Sequence, residues 1–509
     1  MLQIVWFKRD LRVQDNEALC RAAEQGDVLP LYIVEPELWR QPDMSARHWA
    51  FVRECLVSLN QDLAGLGQPL IIRKGEAVEV MQELLDQHPV AGVWSHQETG
   101  NGWTYRRDQA VADLLRGRGI PWRQPRQHGV VRGPVDRDGW SRQWEAMMTA
   151  PRFKPPVLRA VAVADPGGPP DRPASGMPED SCPGRQHGGR AAAEQALHSF
   201  LEQRGARYNL EMSSPRTASS SCSRLSAHLA CGTLSMREVL QATRRRRAQV
   251  KQLPKSERGT WGRALAAFEG RLHWHCHFMQ KLESEPRFEF ENMQRATAGL
   301  RDEQCDPVRL RAWQTGNTGW PLVDACMRAL AHTGWINFRM RAMLMSVASY
   351  QLWLHWREPA LHLARQFVDY EPGIHYPQAQ MQSGTTGINT LRIYNPVKQS
   401  LDQDPDGVFI RTWLPELGGI DRQWIHTPWL MPEAAQRECG VLIGRDYPAP
   451  LVDHEAAARL ARQRIQQVRR TSEARSESRS IYDRHGSRKR PQRNQRGKSQ
   501  QPDLFNDGA

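Results

Sequence analysis

No window of 18 consecutive apolar residues occurs in the 509-residue chain, so a membrane-spanning helix is not expected. There is no C-x-x-C pair. The nine cysteines are scattered, which argues against a zinc site and for a reducing, intracellular setting, cytoplasmic or, in a bacterium, beside the nucleoid. The N-terminus lacks a charged lead-in to a long apolar stretch; Leu2-Gln-Ile-Val-Trp-Phe7 reads as an opening strand and not as a signal peptide. Acidic charge is the scarcer sign, and the net charge of +13 points to a polyanionic partner, most often nucleic acid. Its distribution matters: residues 461–509 carry 13 Lys/Arg against 5 Asp/Glu, so most of the excess sits in the tail. The chain body has one dense basic run, Arg244-Arg245-Arg246-Arg247, followed by Lys251, Lys255, Arg258 and Arg263. It is read as a candidate phosphate-contacting surface, with a solvated helix end as the equal alternative.

A chain of this length predicts two or three domains. Over residues 1–130, short apolar runs at Gln3–Phe7, Val28–Val34, Pro69–Arg73 and Ala91–His96 alternate with amphipathic segments at Ala46–Ala64 and Ala77–Gln87. That alternation predicts an α/β domain with a parallel sheet and right-handed crossovers. Residues 131–190 are rich in Gly and Pro and read as an interdomain linker. Residues 191–450 show helical patterns without strand alternation, which predicts a large all-α domain. From 461 to 509 aliphatic residues nearly vanish, and that segment is expected to be a disordered basic tail.

Residues 313–345 combine a core-helix pattern (Leu322, Val323, Cys326, Met327, Leu330) with Trp313, Trp320, Trp335, Arg328, Arg339 and Arg341. The stretch resembles the flavin-binding helices of the photolyase/cryptochrome family. The N-terminal run Trp6-Phe-Lys-Arg-Asp-Leu-Arg12 with Asp15-Asn16 and Ala18-Leu19 resembles that family's opening, and Leu391–Pro396 and Phe409–Leu417 resemble two later motifs. The resemblance implies a Rossmann-like antenna domain followed by a helical FAD-binding domain. It implies FAD as cofactor, and an antenna chromophore (a folate, or a deazaflavin or flavin), with Glu98 where some relatives contact a folate.

Cys222-Ser223-Arg224-Leu225-Ser226 resembles the family's phosphate loop, with Cys222 in place of a threonine. Hydroxyls and backbone N–H groups at a helix start suit a diphosphate. Tyr208 matches the tyrosine that contacts the phosphates; His275 and Trp335 fall on the cofactor wall by the same resemblance. Arg341 and Asp369 match the family's ion pair beside the flavin ring, and Glu371 falls on the second acid. His375 falls near the place of the side chain that faces flavin N5, where it could exchange a proton near neutral pH; a plainly packed histidine is the equal alternative.

Trp356 matches the middle member of the family's tryptophan chain for electron transfer. The position nearest the flavin falls on Ala379 or Pro377, and the outer one near Glu303, so that chain is interrupted. Trp353, Tyr370, Tyr376 and Trp335 are candidates for another route. In the lesion pocket Trp274 is retained and could stack on extruded bases. Arg271 replaces the glutamate of cyclobutane-dimer photolyases and offers no acceptor. Asn337 and Ala342 replace the histidine pair of the (6-4) branch, and Met381 completes the implied DNA-facing set with Arg244 and Arg245. Gln501-Pro-Asp-Leu504-Phe505 resembles the peptide by which bacterial repair proteins dock on the DNA sliding clamp. The function expected is light-driven repair of pyrimidine dimers by a monomeric flavoprotein. A cryptochrome-like photoreceptor without repair activity is the alternative.

Overall fold

A computed structural model describes residues 1–486. Five strands, β1 (Leu2–Phe7), β2 (Asp27–Val34), β3 (Ile71–Lys74), β4 (Val90–Trp94) and β5 (Trp122–Arg123), form one parallel sheet in the order β3-β2-β1-β4-β5. β1 is buried at all six positions, as a central parallel strand covered on both faces must be. Helices Ala46–Leu66 and Ala77–Gln87 cover the sheet at the positions their apolar spacing predicts. The strand order reverses between β1 and β4, and the carboxyl ends of those strands meet the helical domain there.

From residue 190 onward the described chain has no strand. Its largest core gathers Trp313, Trp320, Leu322, Val323, Cys326, Met327 and Leu330 with Trp356, Tyr376 and Ile481. A second core joins helix Trp261–Ser284 to Phe200, Tyr208, Leu225 and Val239. The two domains are tied by two arginines: buried Arg12 donates through Nη1 to Gly232 O at 2.9 Å, and half-buried Arg9 reaches Ala230 O and Tyr370 O.

Two segments differ from expectation. The 131–190 linker contains helix Arg137–Thr149, whose Trp140, Trp144 and Met148 enter the second core. Its remaining stretch is a strap laid on the α/β domain, with Ile72 N bonded to Pro166 O and Arg47 paired with Asp180. Residues 461–485, expected as disordered, lie in helices His454–Arg469 and Ser472–His485. Four small or aliphatic residues at the right spacing suffice to dock them. Ala461 and Ile465 pack on Tyr350, while Ala474 and Ile481 are buried and Glu477 accepts from Arg295 N and Ala296 N. Gln501, Leu504 and Phe505 lie outside the described residues. Among the described residues no helix is long and apolar enough to cross a membrane.

Candidate cofactor site

A cavity of about 320 Å³ opens in the helical domain. Its walls come from stretches distant in sequence, 208–226, 335–345 and 363–382, with Tyr394 and with Arg271 and His275 of helix Trp261–Ser284. Tyr208, Cys222, Ser223, Arg224, Ser226, Trp335, Arg341, Asp369, Glu371, His375 and Asn337 all line it.

The loop before helix Ser226–Cys231 is held by Arg204, which donates to Cys222 O and, at 2.6 Å, to Ser223 O. Arg224 adopts a left-handed φ of 61° and lays its guanidinium 4.0 Å over the Trp335 ring. Burial lowers its pKa to about 10, against the attraction of Asp369. Burial pushes the Cys222 thiol up to about 12, so it stays protonated and is a weaker donor than the threonine it replaces.

Arg341 is pinned by three bonds: Nε to Ile336 O at 2.7 Å, and a two-point pair with Asp369 at 3.0 and 2.7 Å. Burial raises the Asp369 carboxyl, but Arg341, the Ser226 hydroxyl and Arg224 together outweigh it and hold it below the usual carboxylate range. Glu371 is the opposite case. Burial lifts it to about 7 although Arg9 stands 3.2 Å away.

His375 donates its Nε2 proton to Ala360 O at 2.8 Å, and burial lowers its pKa to about 4. It is therefore a neutral imidazole at physiological pH, with its one proton committed. The proton exchange near neutrality expected for it does not follow from this geometry. His275 is likewise held neutral by burial, at about 4.

Several polar atoms of the wall are buried without a hydrogen-bond partner among the described residues: both amide atoms of Gln378, Nδ1 of His275 and Oδ1 of Asn337. Each such atom costs about 1–3 kcal/mol unless something bonds to it. An elongated cofactor with a diphosphate and a polar heteroaromatic ring offers partners of that kind, so the residues present fit FAD. Gln378 and Arg204 went unnoticed in the sequence. Neither belongs to a motif, and Gln378 is aimed by helix Pro372–Ser383, which carries Pro377 within it.

Other expected site residues lie elsewhere. Leu225 is packed in the second core and does not line the cavity. Trp274 is turned onto His277 and Phe278, with ring centroids 4.7 and 5.7 Å apart, and Met381 is half-buried; neither is on the cavity wall. Trp356 is fully buried behind the wall, its Nε1 donating to Asn292 Oδ1 at 2.7 Å. Its ring lies 6.5 Å from Tyr376, which lies 5.6 Å from His375. Of the two positions on which the flavin-nearest tryptophan was expected to fall, Ala379 lines the cavity and Pro377 does not. Arg244 is paired with Glu145 and Glu269, while Arg245 is exposed on helix Met236–Gln252.

A second cavity, of about 100 Å³, sits at the carboxyl ends of β1, β2 and β4. Glu98 lines it, but its carboxylate is engaged by Arg107 at 2.7 Å and Lys8 at 3.5 Å. Tyr370 lines both cavities.

A family model described as the FAD binding domain of DNA photolyase matches residues 268–467, and one described as DNA photolyase matches residues 3–137. A deoxyribodipyrimidine photo-lyase of Streptomyces griseus is 31% identical over 91% of this chain and 98% of its own. A cryptochrome DASH of Natronomonas pharaonis is 29% identical over 89% and 98%. The fold is similar to a bacterial class III photolyase from Agrobacterium tumefaciens, with a TM-score of 0.80 and 26% identity over 92% of this chain and 98% of that one. A cavity wall suited to FAD, a five-stranded parallel domain ahead of it and near-complete coverage of these relatives agree: the chain is an FAD-binding member of the photolyase/cryptochrome family.

Proposed function

We infer that the protein repairs pyrimidine dimers in DNA under blue light. The carrying observation is the flavin cavity's lining, where Phe338, Trp335 and Tyr394 stand with Arg271 and Arg339. Aromatic faces can stack on extruded bases, and guanidiniums can bond to pyrimidine carbonyls and phosphates. FAD, when bound in reduced form, supplies the light-excited electron that splits such a dimer.

The chain's own residues bind, orient and hold charge. Arg341 and Asp369 form a rigid dipolar pair in the wall, which needs no rearrangement during reaction. His375 keeps its proton on Nε2, bonded to Ala360 O. Asn337 donates through Nδ2 to Met212 O and Ser213 O at 3.1 and 2.7 Å, tying the mouth to the loop ahead of helix Pro215–Ser221. Arg271 brings donors where cyclobutane-dimer enzymes bring a carboxylate, which favours a contact to base carbonyls over one to ring N–H groups.

Purified, reduced protein should therefore remove dimers from an irradiated oligonucleotide under blue light and leave them in the dark. Equal dimer content in both arms would dismiss repair. A second reading, a photoreceptor without repair, draws support from the position of Trp274, which lies off the cavity wall against His277 and Phe278. It gains if light changes partner binding while dimers persist.

A further inference from the structure

The dense arginine run of helix Met236–Gln252 is largely neutralised in place. Arg244 pairs with Glu145 and Glu269, Arg246 with Glu202, and Arg247 with Glu269. A different basic face is not. On helix His454–Arg469 and the residue after it, Arg459, Arg462, Gln463, Gln466, Gln467 and Arg470 line an open depression of about 370 Å³. Offsets of three, four, seven, eight and eleven residues place all six on one side of the helix. All six are exposed. Among the described residues Arg459 makes one ion pair, with Glu455 at 3.9 Å, which is well exposed and weak, and it also feels the charge of Asp453. Arg462 and Arg470 make no ion pair among the described residues. Like charges spaced this way disfavour the helix by a few tenths of a kcal/mol. The depression has no apolar side chain in its lining, so it does not suit an apolar peptide anchor or an acyl chain.

The position of this helix gives the charge a direction. Its inner face packs through Ala461 and Ile465 onto Tyr350, Leu391 and Ile393. The 391–394 strip then runs to Tyr394, which lines the flavin cavity and whose carbonyl accepts from Gln351 Nε2 at 2.7 Å. The helix that carries the basic face is therefore linked to the cavity wall through the 391–394 strip. From Arg459 to Arg470 the face extends about 16 Å along the helix. That length runs beside about five successive phosphates of one DNA strand.

We propose that this face binds the sugar–phosphate backbone of duplex DNA beside the segment presented to the cavity. The three arginines supply the charge, and Gln463, Gln466 and Gln467 supply neutral donors to phosphate oxygens. The inference rests on DNA as the substrate and adds a contact surface that is independent of the lesion.

The test compares the full-length holoprotein with an Arg459→Gln/Arg462→Gln/Arg470→Gln variant, binding dimer-containing and undamaged duplexes of equal length over a salt series. Three phosphate contacts predict a log–log salt slope shallower by about 2–3 in the variant on both duplexes. Its affinity should then fall about 40-fold less than that of the wild type over a fourfold rise in salt. The flavin absorption spectrum should be unchanged, since none of the three residues lines the cavity. Equal slopes for the two proteins overturn this inference alone. A wild type that binds neither duplex at low salt overturns the DNA substrate and this surface with it. Sedimentation of wild type, but not the variant, with phosphatidylglycerol vesicles, alongside an unchanged DNA slope, gives the face to a lipid surface and refutes the proposal.

Discussion

Removing the Arg341 guanidinium is the sharpest single perturbation of the flavin cavity. Its two bonds to Asp369, at 3.0 and 2.7 Å, serve a carboxylate side chain that is 3% exposed, while the Arg341 side chain is 24% exposed. Stripping one partner from a buried pair costs about 3–5 kcal/mol, and partial exposure of the arginine sets the expectation at the low end, about 3 kcal/mol. Arg341→Met keeps much of the aliphatic stem, removes the guanidinium that lies 4.1 Å over the Phe367 ring, and leaves Asp369 with the Ser226 hydroxyl and the more distant Arg224. In the wild type the folded-state pKa of Asp369 is depressed, so its stabilisation is present above the unfolded value and lost as pH falls through the folded one. In the variant burial is no longer outweighed by Arg341. The carboxyl rises, and the variant's deficit is largest at neutral pH and shrinks on acidification. Arg341→Met/Asp369→Asn removes both charges and should recover about 1–3 kcal/mol relative to Arg341→Met. Urea titration of flavin release, with the slope compared between proteins, reads these differences. The reasoning is refuted if Arg341→Met releases flavin at the wild-type midpoint, or if the double variant is no better than the single one.

Glu371 titrates at about 7 in the folded protein, above its ordinary 4.5. Its contribution to stability is full at acidic pH and lost as pH rises to about 7, a change of about 3 kcal/mol. The stability difference between wild type and Glu371→Gln should move by that amount between about pH 4.5 and pH 8, and a pH-independent difference would remove Glu371 from the account. His375, with a pKa near 4, should leave the flavin spectrum flat across the pH range around neutrality. A spectral titration near the ordinary histidine value that disappears in His375→Gln would contradict its assignment as a neutral imidazole. Trp356→Ala empties a fully buried site and strands Asn292, so it should lower the unfolding free energy by about 3–5 kcal/mol; a loss below ~1 kcal/mol would show the site collapses freely. For the C-terminal motif, Leu504→Ala/Phe505→Ala should abolish retention on immobilised sliding clamp, and undiminished retention would discard it.

The α/β domain was readable from the residues because its central strands are short apolar runs separated by helices of the right period. β5 escaped because two residues, Trp122 and Arg123, carry no period. The cavity wall was readable only through resemblance, since Tyr208, Arg341 and Asp369 come from separate stretches that no local rule joins. What was hidden depends on tertiary geometry. The acids that neutralise Arg244 lie 25 and 99 residues away in sequence, so the run looked more available than it is. Helices His454–Arg469 and Ser472–His485 are anchored by a few residues too sparse to register as composition. The Gln378 amide, without a partner among the described residues, and the turn of Trp274 onto His277 and Phe278 follow from how their helices are rotated, which pattern alone does not specify.

The most direct test of light-driven repair is the excited-state lifetime of the reduced flavin in the purified protein, measured alone, with undamaged duplex and with dimer-containing duplex. Electron transfer into a dimer seated in the cavity predicts a shorter lifetime with the damaged duplex only. Identical lifetimes in all three samples, with DNA binding confirmed in parallel, would contradict the account and leave a flavoprotein whose light response serves something other than repair.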